Sequence, residues 1–335
     1  MVITCRAPER EDNPAVNSSP DYLVRRLRLR HLELLVALAD AGTMRAAAAR
    51  LHLSQPALSK MLSEIETGFG ARLFERSPQG VTANALGDAV VYRARVMLGE
   101  LSRGKDEVDA LRTGALGLLR LGSLSVTATV PQAIAELRRR QPGARVQVRE
   151  ARVRELIQNL LDGELDCVFA AVTPELLTSD LLPLLRPEVL LDDELCVLCA
   201  AAHPLARSRR LRWADLHAAA WVAPPKDTVV RQALLTAFLN EGLEPPEPAI
   251  EVLSSVTMGS LLRMDPALLG AARFEHARDE LDRGGMRRLS VTPIVRLPAL
   301  GLYTRRGEEG PMPLVQAFAR AIRQVGVRAR RAERP

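Results

Sequence analysis

The sequence predicts a small helical unit with a β-ribbon, a long connecting helix, and a larger α/β portion. Three observations carry this expectation: short apolar stripes of helical period between Leu32 and Ile65, a longer seam from Val90 to Leu111, and an alternation of strand-like and helix-like segments beyond Thr113. A chain of 335 residues divides into two or three domains and can bury sizeable cores.

The first unit follows from spacing. Leu32, Leu35, Val36 and Ala39, then Met44, Ala47, Ala48 and Leu51, then Leu58, Met61, Leu62 and Ile65 each fall at i, i+3, i+4, i+7. Each helix therefore offers one stripe, and three stripes close a small core. Gly42 is suited to end the first helix in a left-handed conformation, and Thr43 to cap the second. Ser54 is an N-cap for the third, Pro56 is tolerated in its first turn, and Leu53 can staple onto Leu58. Two helices around so tight a corner predict a helix-turn-helix.

Away from its stripe, the third helix gathers Gln55, Ser59, Lys60 and Ser63. A folding core does not require this polar face, and its donors and acceptors suit major-groove base edges and phosphates. An ordinary solvated face is the alternative. Leu73-Phe74-Glu75-Arg76-Ser77-Pro78-Gln79-Gly80-Val81 reads as a β-ribbon or wing with Arg76 at its edge. An arginine there can enter a minor groove or bind phosphate, or be a plain surface residue.

The run LRHLELLVALADAGTMRAAAARLHLSQPALSKMLSEIETGFGARLFERSPQGV resembles the winged helix-turn-helix of LysR-type transcriptional regulators, with the recurrent SQPALS and LFER segments. The resemblance continues through GELDCVFA and AHPLA to the last helix, covering about residues 27 to 325. It implies a DNA-binding regulator in which Gln55, Pro56, Ser59 and Lys60 face the operator and Arg76 lies on the wing. With Thr43, Arg45 and Ser54 at the helix starts, these form the candidate DNA-contact set. There are two departures. Asn84 stands where the family usually has a threonine capping the linker helix, and Lys60 stands where arginine is frequent, trading a planar fork for a point charge.

Composition is consistent with a polyanionic partner: the net charge is +6 at pH 7 and the pI is near 9.6. Of the arginine runs at Arg25 to Arg30, Arg138 to Arg140 and Arg328 to Arg331, only the first adjoins the candidate DNA-binding helices. Residues 1–24 read as a flexible extension without a signal-peptide core, and no stretch is long enough to span a membrane. The expected location is the cytoplasm.

From Asn84 onward, Val90, Ala94, Met97, Leu101, Gly104, Val108 and Leu111 alternate spacings of four and three, a seam suited to a second long helix. Packing onto the chain's own domains is the alternative, but an operator read twice calls for a homodimer. The family resemblance adds a possible homotetramer.

Beyond the Thr113-Gly114 break, strands are expected at Leu118 to Leu121, Val146 to Val148 and Leu165 to Ala171, with helices at Val130 to Arg140 and Val153 to Leu161. A second series follows from Glu194, and the chain returns through Ile294 to Tyr303 to a helix at Leu314 to Val325. Such alternation signals an α/β sheet. It resembles the periplasmic-binding-protein-like effector domain of the same family, with two lobes and strand crossings near residues 188 and 292. The expected division is therefore a 25–83 winged domain, an 84–112 linker helix, a 113–327 effector-binding domain and a 328–335 basic tail. Lobe I comprises about 113–187 and 292–327, and lobe II about 188–291.

Two lobes make a cleft where strand ends and helix N-termini converge. Gly122-Ser-Leu-Ser-Val-Thr-Ala-Thr129 offers Ser123, Ser125 and Thr127, whose hydroxyls and neighbouring backbone amides can hold a carboxylate or another polar effector. The resemblance places Ala223-Pro-Pro-Lys-Asp-Thr228 opposite, where Lys226 can pair with an anion and Thr228 can cap a helix. Ala171 stands where some relatives that bind acidic aromatic effectors carry an arginine, which argues against a dicarboxylate.

No catalytic constellation is present. His31, His52, His203, His217 and His276 are scattered, no metal-ligand spacing occurs, and neither a Walker loop nor a GxSxG elbow appears. Nothing calls for a cofactor. Cys196-Val-Leu-Cys199 has CxxC spacing, but in an apolar strand residues three apart point to opposite faces, which disfavours a shared metal or a disulfide. Three functions therefore compete. The expected one is a regulator controlling RNA polymerase access in response to a small-molecule effector. A solute-binding transport protein conflicts with the DNA module, and a thiol redox sensor needs Cys196 or Cys199 exposed.

Overall fold

The computed structural model describes residues 25–113, 117–307 and 312–332. The expected N-terminal extension, Cys5 and the last three residues lie outside them. The chain divides into two compact units within one long helix, between Arg103 and Gly104.

In the first unit, α1 (Leu29–Ala41), α2 (Met44–Arg50) and α3 (Gln55–Phe69) precede a hairpin of β1 (Phe74–Ser77) and β2 (Gly80–Ala83), and α4 (Ala85–Thr113) follows. All three helices pack on one core, but in α1 the buried face is shifted from the expected stripe: Leu34, Leu35 and Leu38 lie deepest while Leu32, Val36 and Ala39 are only partly buried. They join Ala47, Leu58, Leu62 and Ile65, Val81 of the hairpin, and Val91 and Ala94 of α4. Gly42 closes α1 at φ 64°, the left-handed region where a side chain is costly. Thr43 Oγ1 accepts from Ala46 N at 3.2 Å and Ser54 Oγ from Ala57 N at 3.3 Å, so both expected caps form. Asn84 Oδ1 caps α4 by accepting from Gly87 N at 2.9 Å.

The second unit is built on strands β3 (Leu118–Ser123), β4 (Arg145–Glu150), β5 (Cys167–Ala171), β6 (Leu185–Ala200), β7 (Leu211–Arg212), β8 (Ala220–Ala223), β9 (Ile250–Glu251), β10 (Leu268–Arg273), β11 (Met286–Arg288), β12 (Val291–Thr292) and β13 (Arg296–Arg305). Its helices are α5 (Thr129–Arg140), α6 (Val153–Leu161), the short α7 (Pro174–Leu177), α8 (Val229–Leu239), α9 (Ser255–Met264), α10 (Phe274–Asp282) and α11 (Pro313–Ala332). Hydrogen bonds run unbroken along β4-β3-β5-β13-β6-β10-β8-β9, with β11 also on β6. Within each lobe the βα units are parallel, β3 with β4 and β5, and β8 with β9 and β10.

Two lobes result because β6 serves both. Its first part, Leu185 to Glu194, pairs with β13, while Leu195 to Cys199 pair with β10. The crossings expected near residues 188 and 292 therefore lie at Glu194/Leu195 and at Arg296, where β13 begins. The strand runs straight through the boundary, so no turn residue marks it in the sequence. The last helix likewise continues to Ala332, past the expected boundary at 327.

Lobe I buries Leu119, Leu121 and Phe169 of the sheet against Val130 and Leu137 of α5 and Phe318 and Ile322 of α11. Lobe II has a core on each sheet face. One gathers Val197, Cys199, Trp221 and Leu269 with Leu234 and Phe238 of α8. The other gathers Cys196, Leu198 and Val222 with Met258 and Leu262 of α9. Phe238 meets Trp213 and Trp221 edge-on, with centroids 5.8 and 6.0 Å apart.

Candidate nucleic-acid interface and ligand cleft

The polar side of α3 follows from the packing of its other side. With Leu58, Leu62 and Ile65 turned into the core, Gln55, Pro56, Lys60 and Ser63 are exposed and Ser59 is half-buried. Thr43, Arg45 and Ser54 are exposed too, although the Thr43 and Ser54 oxygens already accept backbone amides at their helix starts. Arg76 extends from β1 and donates from Nη2 to Ser59 Oγ at 3.2 Å, so wing and third helix share one polar surface. Such a surface combines neutral donors and acceptors with two cations, the chemistry that base edges and phosphates require.

What fixes the wing was not evident from the sequence. Glu66 Oε1 accepts from the Leu73 and Phe74 amides at 2.8 and 3.3 Å, fastening β1 to α3. Val81 N donates to Gly42 O at 2.7 Å, and a Cβ on Gly80 would lie 2.4 Å from that oxygen. Gly80 permits this close approach. Asp40 accepts from Arg50 at 2.9 Å and from Arg95 at 2.5 Å, joining α1 to α2 and α4. Glu66 and Asp40 look like ordinary surface charges in one dimension.

In the second unit the lobe II loop is tied to lobe I by one exposed ion pair. Arg152, leading into α6 of lobe I, donates to Asp227 of the lobe II loop at 2.6 Å. Of the five candidate ligand residues, Ser125 and Thr127 come together, with hydroxyls 3.4 Å apart. Ser123 is buried and donates to Ser125 O at 2.8 Å. Thr228 Oγ1 caps α8 by accepting from Arg231 N at 3.3 Å. Lys226 turns to Glu247 of its own lobe at 3.1 Å, and this ammonium, followed by the Arg231 guanidinium, holds the Glu247 carboxyl below its ordinary range. The lysine expected to await an anion is thus partnered within the chain.

The amide expected to be open at the start of α5 is also engaged. Thr129 N donates to Glu275 Oε1 at 3.0 Å, a buried contact between lobes that the sequence reading missed. Glu275 lies 146 residues further along the chain, beyond any local signal.

Cys196 and Cys199 alternate across β6 into opposite cores, and both are buried. Burial pushes the Cys199 thiol up to about 11, against the lowering effect of Arg287. Neither thiol has the exposure that redox sensing requires, and burial disfavours the Cys199 thiolate.

Two family models account for nearly all of this architecture: one described as bacterial regulatory helix-turn-helix protein, lysR family, matches residues 29–88, and one described as LysR substrate binding domain matches residues 112–326. The chain belongs to the LysR family. It is a DNA-binding transcriptional regulator with an effector-binding domain. Among LysR relatives, the transcriptional regulator GalR of Pseudomonas putida is 30% identical over 309 residues, covering 91% of this chain and 75% of that protein. GbpR of Azospirillum brasilense is 33% identical over 238 residues, 70% of this chain and 68% of GbpR. The crystal structure of the LysR family regulator CbnR superposes with a TM-score of 0.58 at 22% identity, covering 90% of this chain and 99% of CbnR. A full-length OxyR from Pseudomonas aeruginosa gives 0.60 at 21%, covering 89% and 95%. At such identities the two structures speak for the LysR fold alone.

Proposed function

We propose that this LysR regulator reads a partly symmetric operator through Gln55, Ser59 and Lys60, with Arg76 on a phosphate or in the adjacent minor groove. A small-molecule effector held between the lobes biases one lobe arrangement over another and so alters RNA polymerase access. A ligand can do this only by binding one arrangement more tightly. The observation that carries the reading is the composite polar surface of α3 and wing, with its opposite side buried in the core. Ser123, Ser125, Thr127, Lys226 and Thr228 remain the proposed effector contacts, with the hydroxyls of Ser125 and Thr127 best disposed.

The chain acts as a homodimer or homotetramer in the cytoplasm. Met97, Leu101 and Val108 of α4 support this, being 55%, 56% and 56% exposed at spacings of four and seven. Nothing else in a solvated helix calls for such a stripe, whereas a second long helix covers it. Footprinting of purified full-length protein on the DNA flanking its own gene tests the reading. Protection of a two-fold repeat is expected; binding no tighter than to scrambled duplex, with and without cell metabolite extract, defeats it.

A further inference from the structure

The start of α5 is unusual in three respects. Ala128 precedes it at φ 42°, ψ −95°, a conformation rare for a residue with a Cβ, and offers no side-chain cap. Thr129, the first helical residue, is fully buried. Its amide is satisfied from the other lobe, by Glu275 Oε1 at 3.0 Å, while Arg278 Nη1 lies 3.4 Å from Thr129 Oγ1.

Glu275 is itself held firmly. Its N–H donates to Asp193 Oδ1 at 3.2 Å, and Asp193 Oδ2 accepts from Arg273 Nε at 2.5 Å. Arg273 Nη2 in turn donates to Pro298 O at 2.5 Å. Asp193 and Pro298 lie on β6 and β13, the two strands that pass between the lobes. One carboxylate, on the crossing strand β6 just before the lobe boundary, thus caps α10, and the next caps α5 across the gap. A further interlobe contact, Arg152 with Asp227, is by contrast solvent-exposed and screened.

We infer that Glu275 is an interlobe latch: its carboxyl group caps α5 from the opposite lobe, holds the cleft closed at its base, and must leave Thr129 before the lobes part. The latch rests on the reading that the cleft admits an effector only in so far as that event is what releases it. A ligand group reaching the α5 amide competes with Glu275 for it, so this residue also sets how readily an anion is accepted there.

The charges around the latch are Asp193 on β6, Arg273 at the end of β10, and His276 and Arg278 on α10; α5 contributes the Thr129 amide and hydroxyl. Burial, chiefly, and Asp193 raise the Glu275 carboxyl to about 7, while the Thr129 amide and Arg273 act in the opposite sense. Parting the lobes returns the group to water and to its ordinary range near 4.5. The closed arrangement therefore binds the proton more tightly, and it loosens as pH rises from about 4.5 through 7.

The test uses full-length protein with no effector, so it succeeds or fails independently of whether the cleft binds one. Amide exchange over residues 123–137 is measured at pH 6 and pH 8, alongside the distance between spin labels on cysteines introduced at exposed Arg138 and Asn240. Glu275→Ala is expected to speed exchange of the first α5 amides by about tenfold or more and to broaden the distance distribution, with added acetate partly reversing both. Glu275→Gln, which keeps an acceptor but does not ionise, is expected to retain protection and lose its pH dependence. Wild-type exchange and distance in Glu275→Ala overturn the inference, as does faster exchange with an unchanged distance. If Glu275→Ala fails to fold, a wild-type pH dependence in Glu275→Gln overturns it instead.

Discussion

Arg76 in the wing donates from Nη2 to the Ser59 hydroxyl of α3 across 3.2 Å, linking residues 17 apart in sequence. The contact aims the guanidinium along the exposed side of the third helix, where Gln55 and Lys60 also lie. A solvent-facing bond of this kind contributes little stability. Its consequence is to organise a cation beside the row proposed to read bases.

Substitutions on this surface should therefore separate into two kinds. Gln55→Ala is expected to relax operator preference by about 1–3 kcal/mol, the worth of a good base contact. Arg76→Ala should weaken operator and scrambled duplex alike and reduce the slope of log affinity against log salt by about one unit. Because Arg76 and Ser59 touch, their double alanine variant should lose less than the two single variants added together. Titrations at several salt concentrations decide: an Arg76→Ala slope equal to wild type rules out the phosphate contact.

Asn84 does two things at the start of α4. Its Oδ1 caps the helix through Gly87 N, and its Nδ2 donates to Arg72 O at 2.9 Å. Threonine, the residue expected there from the family resemblance, can do only the first, since a hydroxyl does not reach like an amide. Gly87 belongs to the same arrangement, because a Cβ there would lie 2.0 Å from Leu73 O. Asn84→Ala should destabilise the helix start by about 0.5–2 kcal/mol, read as faster amide exchange over residues 85–88. Asn84→Thr should recover the cap but leave exchange faster around Arg72. Equal exchange in all three proteins would show that the cap is dispensable.

The buried cysteines give a chemical prediction. Alkylation requires thiolate, and burial raises both Cys167 and Cys199 above their ordinary range. In a Cys5→Ser background, iodoacetamide at pH 8 should label Cys167, Cys196 and Cys199 only after unfolding, and peroxide should leave operator affinity unchanged. Rapid labelling of native Cys199 would revive a thiol sensor.

Features with a local cause were legible in the sequence. The caps at Thr43 and Ser54, the left-handed Gly42 and the alternation of Cys196 and Cys199 each depend on neighbours within four positions. The stripes of α1 to α3 had the right period because one face of each had to meet the same core. Contacts set by chain folding over long range were not legible. Lys226 looked available because its partner Glu247 lies 21 residues away, and the α5 amide looked open because Glu275 arrives from the other lobe. The lobe boundary at Glu194 was hidden for a related reason: an extended strand crosses it without a turn, so the pattern changes partner but not conformation.

Glu275 and His276 make the pH dependence of lobe II a contest of two signs. They are adjacent, with His276 Nε2 and Glu275 Oε2 3.3 Å apart, and burial opposes charge on both. Burial, aided by Arg273, lowers His276 to about 3, whereas burial raises Glu275 to about 7. The unfolded chain protonates His276 below about 6.5 while the folded chain resists until about 3, so this group's contribution is lost as pH falls through that window. Glu275 does the reverse: the folded chain keeps its proton up to about 7, and the contribution is lost as pH rises from about 4.5 to 7. Each slope is at most about 1.4 kcal/mol per pH unit, and where the windows overlap they offset one another. The wild type should thus be nearly flat between about pH 4.5 and 6.5 as far as this pair is concerned. Removing one partner exposes the other: His276→Asn should gain stability relative to wild type as pH falls through that range, and Glu275→Gln should lose it. Both tryptophans, Trp213 and Trp221, lie in lobe II, so their fluorescence during urea unfolding reports this region directly. Parallel midpoint-against-pH curves for the three proteins would mean that neither side chain is held in its disfavoured state by burial.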